Sequence, residues 1–230
     1  MTVTVVIPVK NERPTLTQGL LQQGPELHGH SLRYLVVDDG SSVPYPTAAI
    51  RHSTSLGYGR SLKDGISATN TEWVATMDGD GQHELVDLVR LLDTAERFPE
   101  VEMIVGDRRI QEQQLSRYLG RKALNWAASL FAWRFIPDLN SGLRVFKVKT
   151  ARGYFPILSD GFSFTTSLTL SMLADGYRVE FVPIKVQQRD QGLSHVQPLK
   201  DGWHTLMRIL YIGCGLRTRR LRAWWRSIFV

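Results

Sequence analysis

The chain contains one cysteine, Cys214, which excludes an intramolecular disulfide and any cysteine-rich zinc site. Long hydrophobic runs are missing too. In the C-terminal part the longest apolar stretch, Ile209–Leu216, falls far short of the roughly 20 residues that cross a bilayer, so no transmembrane helix is expected. Met1–Val9 has no charged leader character and reads as a strand, so no secretory signal is expected. Internal repeats, low-complexity tracts and long linkers are absent. What remains is an ordinary globular composition, 43% hydrophobic over 230 residues, which fits one large domain with an appendage.

Charge is unevenly placed. The net charge is +6, and the segment 200–230 carries Lys200, Arg208, Arg217, Arg219, Arg220, Arg222 and Arg226 against Asp201 alone, with Trp203, Trp224 and Trp225 among them. A basic, aromatic terminus suits an anionic partner, either membrane headgroups or nucleic acid. It also suits a solvated helix that supports solubility.

Along the chain, apolar strand-like runs alternate with helical patterns. Val3–Val9, Leu32–Val37, Glu72–Met77 and Val101–Val105 read as strands. Pro14–Gln23, Gly59–Thr69 and His83–Phe98 read as helices, the last with Leu85, Leu88, Val89, Leu91 and Leu92 on one side. This alternation predicts an α/β fold with a mainly parallel sheet flanked by helices. Beyond Gly106 the pattern predicts a long helix over Ser116–Phe135, a strand at Leu143–Lys147, a helix at Phe164–Ala174 and a strand at Arg178–Val186. A polar loop, Arg189–His195, follows. Residues 1–197 are expected to form the domain and 198–230 a basic amphipathic helical tail.

Ligands of such sheets bind outside the carboxyl ends of the strands. Three strands end in polar signatures: Lys10-Asn11-Glu12, Asp38-Asp39-Gly40-Ser41 and Asp78-Gly79-Asp80. The last places two carboxylates two residues apart with glycines beside them. Asp and Gly also form ordinary turns, but convergence on one sheet edge favours a site for a hard divalent cation bridging carboxylates to phosphates.

Five segments, VVIPVKNE, VVDDGS, LGYGRSLKDGI, MDGDGQH and DLNSGLRVFK, stand in the order found in family 2 glycosyltransferases of the GT-A (Rossmann-like) fold. Over about Val3 to His195 the chain resembles the dolichol- and polyprenyl-phosphate mannosyl- and glucosyltransferases. The resemblance implies a nucleotide-sugar donor, GDP-mannose or a UDP-sugar, held by Pro8, Val9, Asn11 and Glu12, with Asp39 on the base and Asp78, Gly79 and Asp80 at the ribose and diphosphate. Asp38 is expected to cap its own loop through the Ser41 and Ser42 N–H groups. Mg2+ or Mn2+ would be held by Asp80, by Asp78 and by Gln82, a position that also joins the metal in the polyprenyl-phosphate subgroup. His83 is read as the start of the next helix rather than a ligand.

The implied acceptor is a polyprenyl-phosphate lipid. Such a phosphate is already anionic and needs cations to position it rather than a general base. Arg108, Arg121 and Arg189 fall where similar enzymes place phosphate-binding arginines; Arg117 and Lys122 are read as solvated surface charges and Arg109 as a neighbour. The implied reaction is a single inverting displacement at a membrane surface, on the cytoplasmic side, with a membrane-protein partner as an option and no nucleic acid. The segment Asn125–Ile136, with Trp126, Phe131, Trp133, Phe135 and Arg134, is expected to pack with one face and meet lipid with the other.

The chain also departs from the family pattern. Ser167 stands where relatives often carry an acidic residue, His195 where they carry Lys, and Asn125 where a phosphate-contacting Ser is common. No Gln-x-x-Arg-Trp signature is present, which argues against a processive polysaccharide synthase. Three other readings stay open from sequence: transfer to a sugar or protein hydroxyl with Asp160 as base, a basic nucleic-acid-binding module, and an inactive nucleotide-sugar sensor.

Overall fold

A computed structural model describes residues 1–14, 26–108, 115–132, 134–185, 203 and 205–212. The expected helix over Pro14–Gln23, apart from Pro14, the loop Arg189–His195 and most of the tail lie outside these residues. The strands are β1 (Thr2–Val9), β2 (Glu26–Leu27), β3 (His30–Asp38), β4 (Ala48–Arg51), β5 (Trp73–Thr76), β6 (Val101–Arg108), β7 (Arg144–Lys147) and β8 (Arg178–Ile184). The helices are α1 (Tyr58–Ala68), α2 (Leu85–Arg97), α3 (Leu115–Ala132), α4 (Val148–Gly153) and α5 (Phe164–Ala174). Residues 205–212 form a further helical segment. No helix of the described residues is long and apolar enough to cross a membrane.

The strands form one sheet in the order β2-β3-β1-β5-β7-β6-β8, with β4 beside β3. Strand β1 is buried from Val3 to Val9 and mostly apolar, as central strands covered on both faces are. It pairs in parallel with β3 on one side and β5 on the other. The strand order therefore reverses at β1, with β3 on one side and the later β5 on the other, which opens a crevice at the carboxyl ends there. The sheet is mixed rather than mainly parallel, since β7 runs antiparallel to both β5 and β6. That reversal brings residues 138–143 to the same edge as the carboxyl end of β5.

Side chains alternate along the strands and feed two core layers. Val6, Val37, Val74 and Phe146 pack with Leu62 and Ile66 of α1 and Phe164 and Leu168 of α5. Val5, Ile7, Ala75 and Val145 pack with Leu88, Leu91 and Leu92 of α2. Helix α1 lies close on the sheet because Gly65 has no side chain; a Cβ there would stand 2.4 Å from Val6 Cγ1. Helix α5 is buried all round, which its apolar and small hydroxyl sequence permits. Asp87 on α2 is fully buried and accepts the Lys185 N–H at 3.0 Å, tying the end of β8 to that helix.

Candidate active site at the carboxyl edge of the sheet

The three polar strand ends meet at one edge. After β1, Asn11 adopts a φ of 53°. Its N–H donates to Ser41 Oγ at 2.9 Å and its side-chain oxygen accepts the Ser42 N–H at 2.8 Å. The Asp38 carboxylate accepts the N–H groups of Ser41 at 2.8 Å and Tyr45 at 3.1 Å. Burial would raise its pKa, but these bonds and the Arg51 charge prevail and hold it below the usual carboxylate range. Asp38 is thus a loop cap, as its position in the sequence suggested, while Ser42 is bonded by Asn11 instead.

Asp39, expected at the donor base, is taken up by its own chain. Its oxygens accept His52 Nδ1 at 2.8 Å, the Ser55 hydroxyl at 2.7 Å, the Leu56 N–H at 2.8 Å and the Gly57 N–H at 3.0 Å. A carboxylate has about four acceptor sites, so this set fills it. Burial alone would raise the Asp39 pKa; the bonds from His52, Ser55, Leu56 and Gly57 lower it instead. Asp39 is thereby a hub that holds residues 52–57 in place. His52 is itself held at Nε2 by Asp64, 3.1 Å away. Pro8 and Val9 are buried, so a nucleoside would meet their backbone rather than their side chains.

After β5 the Asp-Gly-Asp turn carries Asp78 and Asp80. Asp78 is held from three sides. The Tyr58 hydroxyl donates to its Oδ1 at 2.8 Å, His83 Nε2 lies 3.6 Å from Oδ2, and Gly142 lies flat against the carboxyl group. A Cβ on Gly142 would stand 2.1 Å from Oδ2 and 2.4 Å from Cγ. Burial opposes ionisation of Asp78, but His83, Tyr58 and Arg108 outweigh it and lower its pKa. Burial and the charges of Asp78 and Asp80 push the Tyr58 phenol well above its ordinary value, so it remains a donor. Gly79 lets the turn sit on β1, where a Cβ would fall 2.6 Å from Val9 Cγ1. Asp80 Oδ1 accepts the Gln82 N–H at 3.1 Å, which folds Gln82 back beside it. His83 is buried one residue ahead of the α2 N-cap, with Nδ1 lacking a partner.

The expected acceptor arginines divide. Arg108, at the end of β6, forms a two-point ion pair with buried Asp138, Nε at 2.7 Å and Nη2 at 3.0 Å. Arg121 falls on α3, with its side chain outside the described residues, as Arg189 is entirely. Asn125 is engaged within its own chain. It is buried and clamps the chain before β7, donating to the Pro137 carbonyl at 2.6 Å and accepting from the Leu139 N–H at 3.2 Å. Ser167, in place of the usual acid, is fully buried in α5 and its hydroxyl has no partner among the described residues. Asp160 pairs with Lys63 Nζ at 2.8 Å.

Sequence reasoning passed over Tyr58, His52, Asp138, Gly142 and Arg144. Arg144 is 1% exposed and donates to the carbonyls of Leu139, Ser141 and Thr165 and to the Thr169 hydroxyl. Burial pushes its pKa down to about 10, so it stays charged at neutral pH and fixes the turn that carries Asp138 and Gly142. The glycine within DLNSGLRVFK was the available signal for a close approach.

The donor set of Asp78, Asp80 and Gln82 is all hard oxygen, which suits Mg2+ or Mn2+. A different cluster, His30, Asp93 and Glu96, could also share a cation. It lies at the opposite edge of the sheet, and the Met1 amine bonds to Glu96 within it. A cavity of about 670 Å³ lined by Arg33, Trp73 and Lys147 lies at that same far edge.

A mixed sheet flanked by helices, with carboxylates at the carboxyl edge beside its central strand, defines an α/β protein of the doubly wound kind. The model of glycosyl transferase family 2 matches residues 4–155, and the chain belongs to that family. An undecaprenyl-phosphate mannosyltransferase of Micrococcus luteus is 28% identical, over 97% of this chain and 98% of that protein. A polyprenol monophosphomannose synthase of Mycolicibacterium smegmatis is 27% identical, over 83% of this chain and 79% of that protein. Among solved structures, glucosyl-3-phosphoglycerate synthase from Mycobacterium tuberculosis with UDP superimposes at a TM-score of 0.68 and 17% identity, covering 92% of this chain and 80% of that one. The fold is GT-A.

Proposed function

We propose that this chain moves a hexose from a nucleotide-diphosphate sugar, GDP-mannose or a UDP-sugar, to a polyprenyl phosphate in one inverting displacement. The observation that carries the reading is the Asp78-Gly79-Asp80 turn at the carboxyl end of β5, where Tyr58 holds Asp78 at 2.8 Å and Asp80 Oδ1 accepts the Gln82 N–H at 3.1 Å. Two relatives of nearly matching length, named for polyprenyl-phosphate mannosyl transfer, support it.

In this reading the Asn11–Ser41–Ser42 clamp and the Asp39 hub shape the nucleoside end of the site. Asp80, Asp78 and Gln82 would hold Mg2+ or Mn2+, which when bound would offset the charge that develops on the leaving diphosphate. Asp78 is kept ionised and oriented by Tyr58 and His83. Arg108, stiffened by Asp138, together with Arg121 and Arg189, would orient the acceptor phosphate, whose oxygen needs no deprotonation.

Exposed apolar side chains fit a lipid acceptor at a membrane surface. On α3, Trp126 and Leu130 face solvent while Ala128 is buried. Phe135 is 79% exposed, and Tyr211 of the helical segment at 205–212 is 72% exposed. Aromatic groups beside basic ones favour headgroup depth, at the cytoplasmic face of a membrane and with a membrane-protein partner as an option. Arg134, expected to reach phosphates, lies 3.7 Å from Glu180.

A hydroxyl acceptor served by Asp160 is the less favoured alternative, because Lys63 already neutralises that carboxylate. The test is a donor panel with polyprenyl phosphate, with and without EDTA. Nucleotide release that requires both the lipid phosphate and a divalent cation supports the reading. Undiminished release in excess chelator removes the metal role of Asp80 and Gln82.

A further inference from the structure

Tyr58 opens α1 within the segment LGYGRSLKDGI, and the family reading gives it no task. Its hydroxyl has one proton to give, and Asp78 Oδ1 receives it at 2.8 Å. Its ring stacks on Phe162, with centroids 5.5 Å apart and planes inclined by 21°.

The backbone that bears Tyr58 is locked on both sides. Behind it, the Gly57 N–H is bonded to Asp39, Asp39 to His52, and His52 to Asp64 one turn and a half further along the same helix. In front, the carbonyls of Asp160 and Ser159 press so close that Cβ atoms on Gly57 and Gly59 would lie 2.4 Å and 2.3 Å from them. The Arg60 N–H also donates to the Asp160 carbonyl at 3.0 Å. Tyr58 therefore approaches Asp78 from a fixed origin. A carboxylate turns about two side-chain torsions, and an outer hydrogen bond of this kind fixes its plane, as such partners do for metal-ligating carboxylates.

We propose that Tyr58 is a positioning residue: its hydroxyl sets the orientation of Asp78 toward the cation-bound diphosphate of the donor. This inference rests on the proposed function, since it takes Asp78 to face that diphosphate.

The test uses Tyr58→Phe in the full chain, which keeps the ring and its stack and removes only the hydroxyl. Mn2+ is titrated calorimetrically in the presence of UDP and, separately, GDP. Apparent Mn2+ affinity is expected to fall about tenfold or more, with kcat falling by a similar factor. The KM for polyprenyl phosphate is expected to hold, and Tm to stay within about 4 °C. In a double-mutant cycle read by Mn2+ affinity, Tyr58→Phe is expected to add little once Asp78→Asn is in place, because its effect runs through that carboxylate. Fully additive losses, or Mn2+ affinity and kcat unchanged in Tyr58→Phe, would overturn the inference. Asp80→Asn separates the two layers. If it abolishes Mn2+ binding while Tyr58→Phe does nothing, the positioning role alone fails. If Asp80→Asn binds Mn2+ and turns over normally, the proposed function fails and takes this inference with it.

Discussion

Replacing Gly142 with alanine should silence the enzyme without unfolding it. The new methyl would stand 2.1 Å from Asp78 Oδ2, about 1.3 Å inside ordinary carbon–oxygen contact. The neighbour that must yield is the far end of a side chain, so the fold can relieve the clash by swinging Asp78 away from Tyr58. Losing that hydrogen bond costs about 1–2 kcal/mol, or roughly 2–8 °C in Tm for a chain of this size. Even a protein with only about 5 kcal/mol of stability would stay over 99% folded after that loss. A carboxylate misplaced by about 1 Å, however, can cost on the order of 10²-fold in rate, equivalent to about 2.7 kcal/mol of barrier. Thermal melting together with sugar-transfer kinetics on Gly142→Ala separates the two effects. Activity above half that of the parent, with Asp78→Asn inactive under the same conditions, would refute the claim that Gly142 places the carboxylate.

Further outcomes follow from the same geometry. Asp39→Asn should destabilise the chain by about 2–4 kcal/mol, because an amide cannot accept from all four of its donors and leaves at least one orphaned; urea unfolding measures it, and a loss under about 0.5 kcal/mol would contradict the hub role. Asp160→Asn should keep full activity, since that carboxylate serves Lys63; loss of turnover with an unchanged Tm would favour the hydroxyl-acceptor reading. Acid should weaken the fold through Asp38 and Asp39. Their folded-state pKa values lie below the ordinary range, so they contribute stability fully above the unfolded value of about 3.9, and that contribution disappears as pH falls through the folded values. Melting curves should stay level above about pH 5 and fall between about pH 4 and 2, and Asp39→Asn should flatten that fall.

Much of this architecture was legible because the strong signals are local. The apolar run before Asp78, the amphipathic pattern of α2 and the eleven residues of α5, all small or apolar, each declare an element by composition alone. The carboxyl-edge grouping followed from alternation of strands and helices. What escaped was set by long-range pairing. A four-residue strand such as β7 carries no mark of its direction, so its antiparallel insertion between β5 and β6, and the delivery of Gly142 to Asp78, could not be read. The Asp39 hub depends on His52 and Asp64, whose partnership arises only when α1 folds back on β3. Asn125 looked like a ligand position and is a buried clamp. Likewise Arg144 looked like an ordinary strand residue and is a buried cation that organises a turn.

The most direct test of the central claim presents purified protein with labelled GDP-mannose or UDP-glucose, Mn2+, and one of two acceptors, undecaprenyl phosphate in detergent or 3-phosphoglycerate in buffer. The account predicts label passing into the organic phase as a lipid-phosphate sugar, with release of the nucleoside diphosphate and loss of both products in EDTA. Label transferred to 3-phosphoglycerate instead, or nucleotide released equally with no acceptor present, would contradict it.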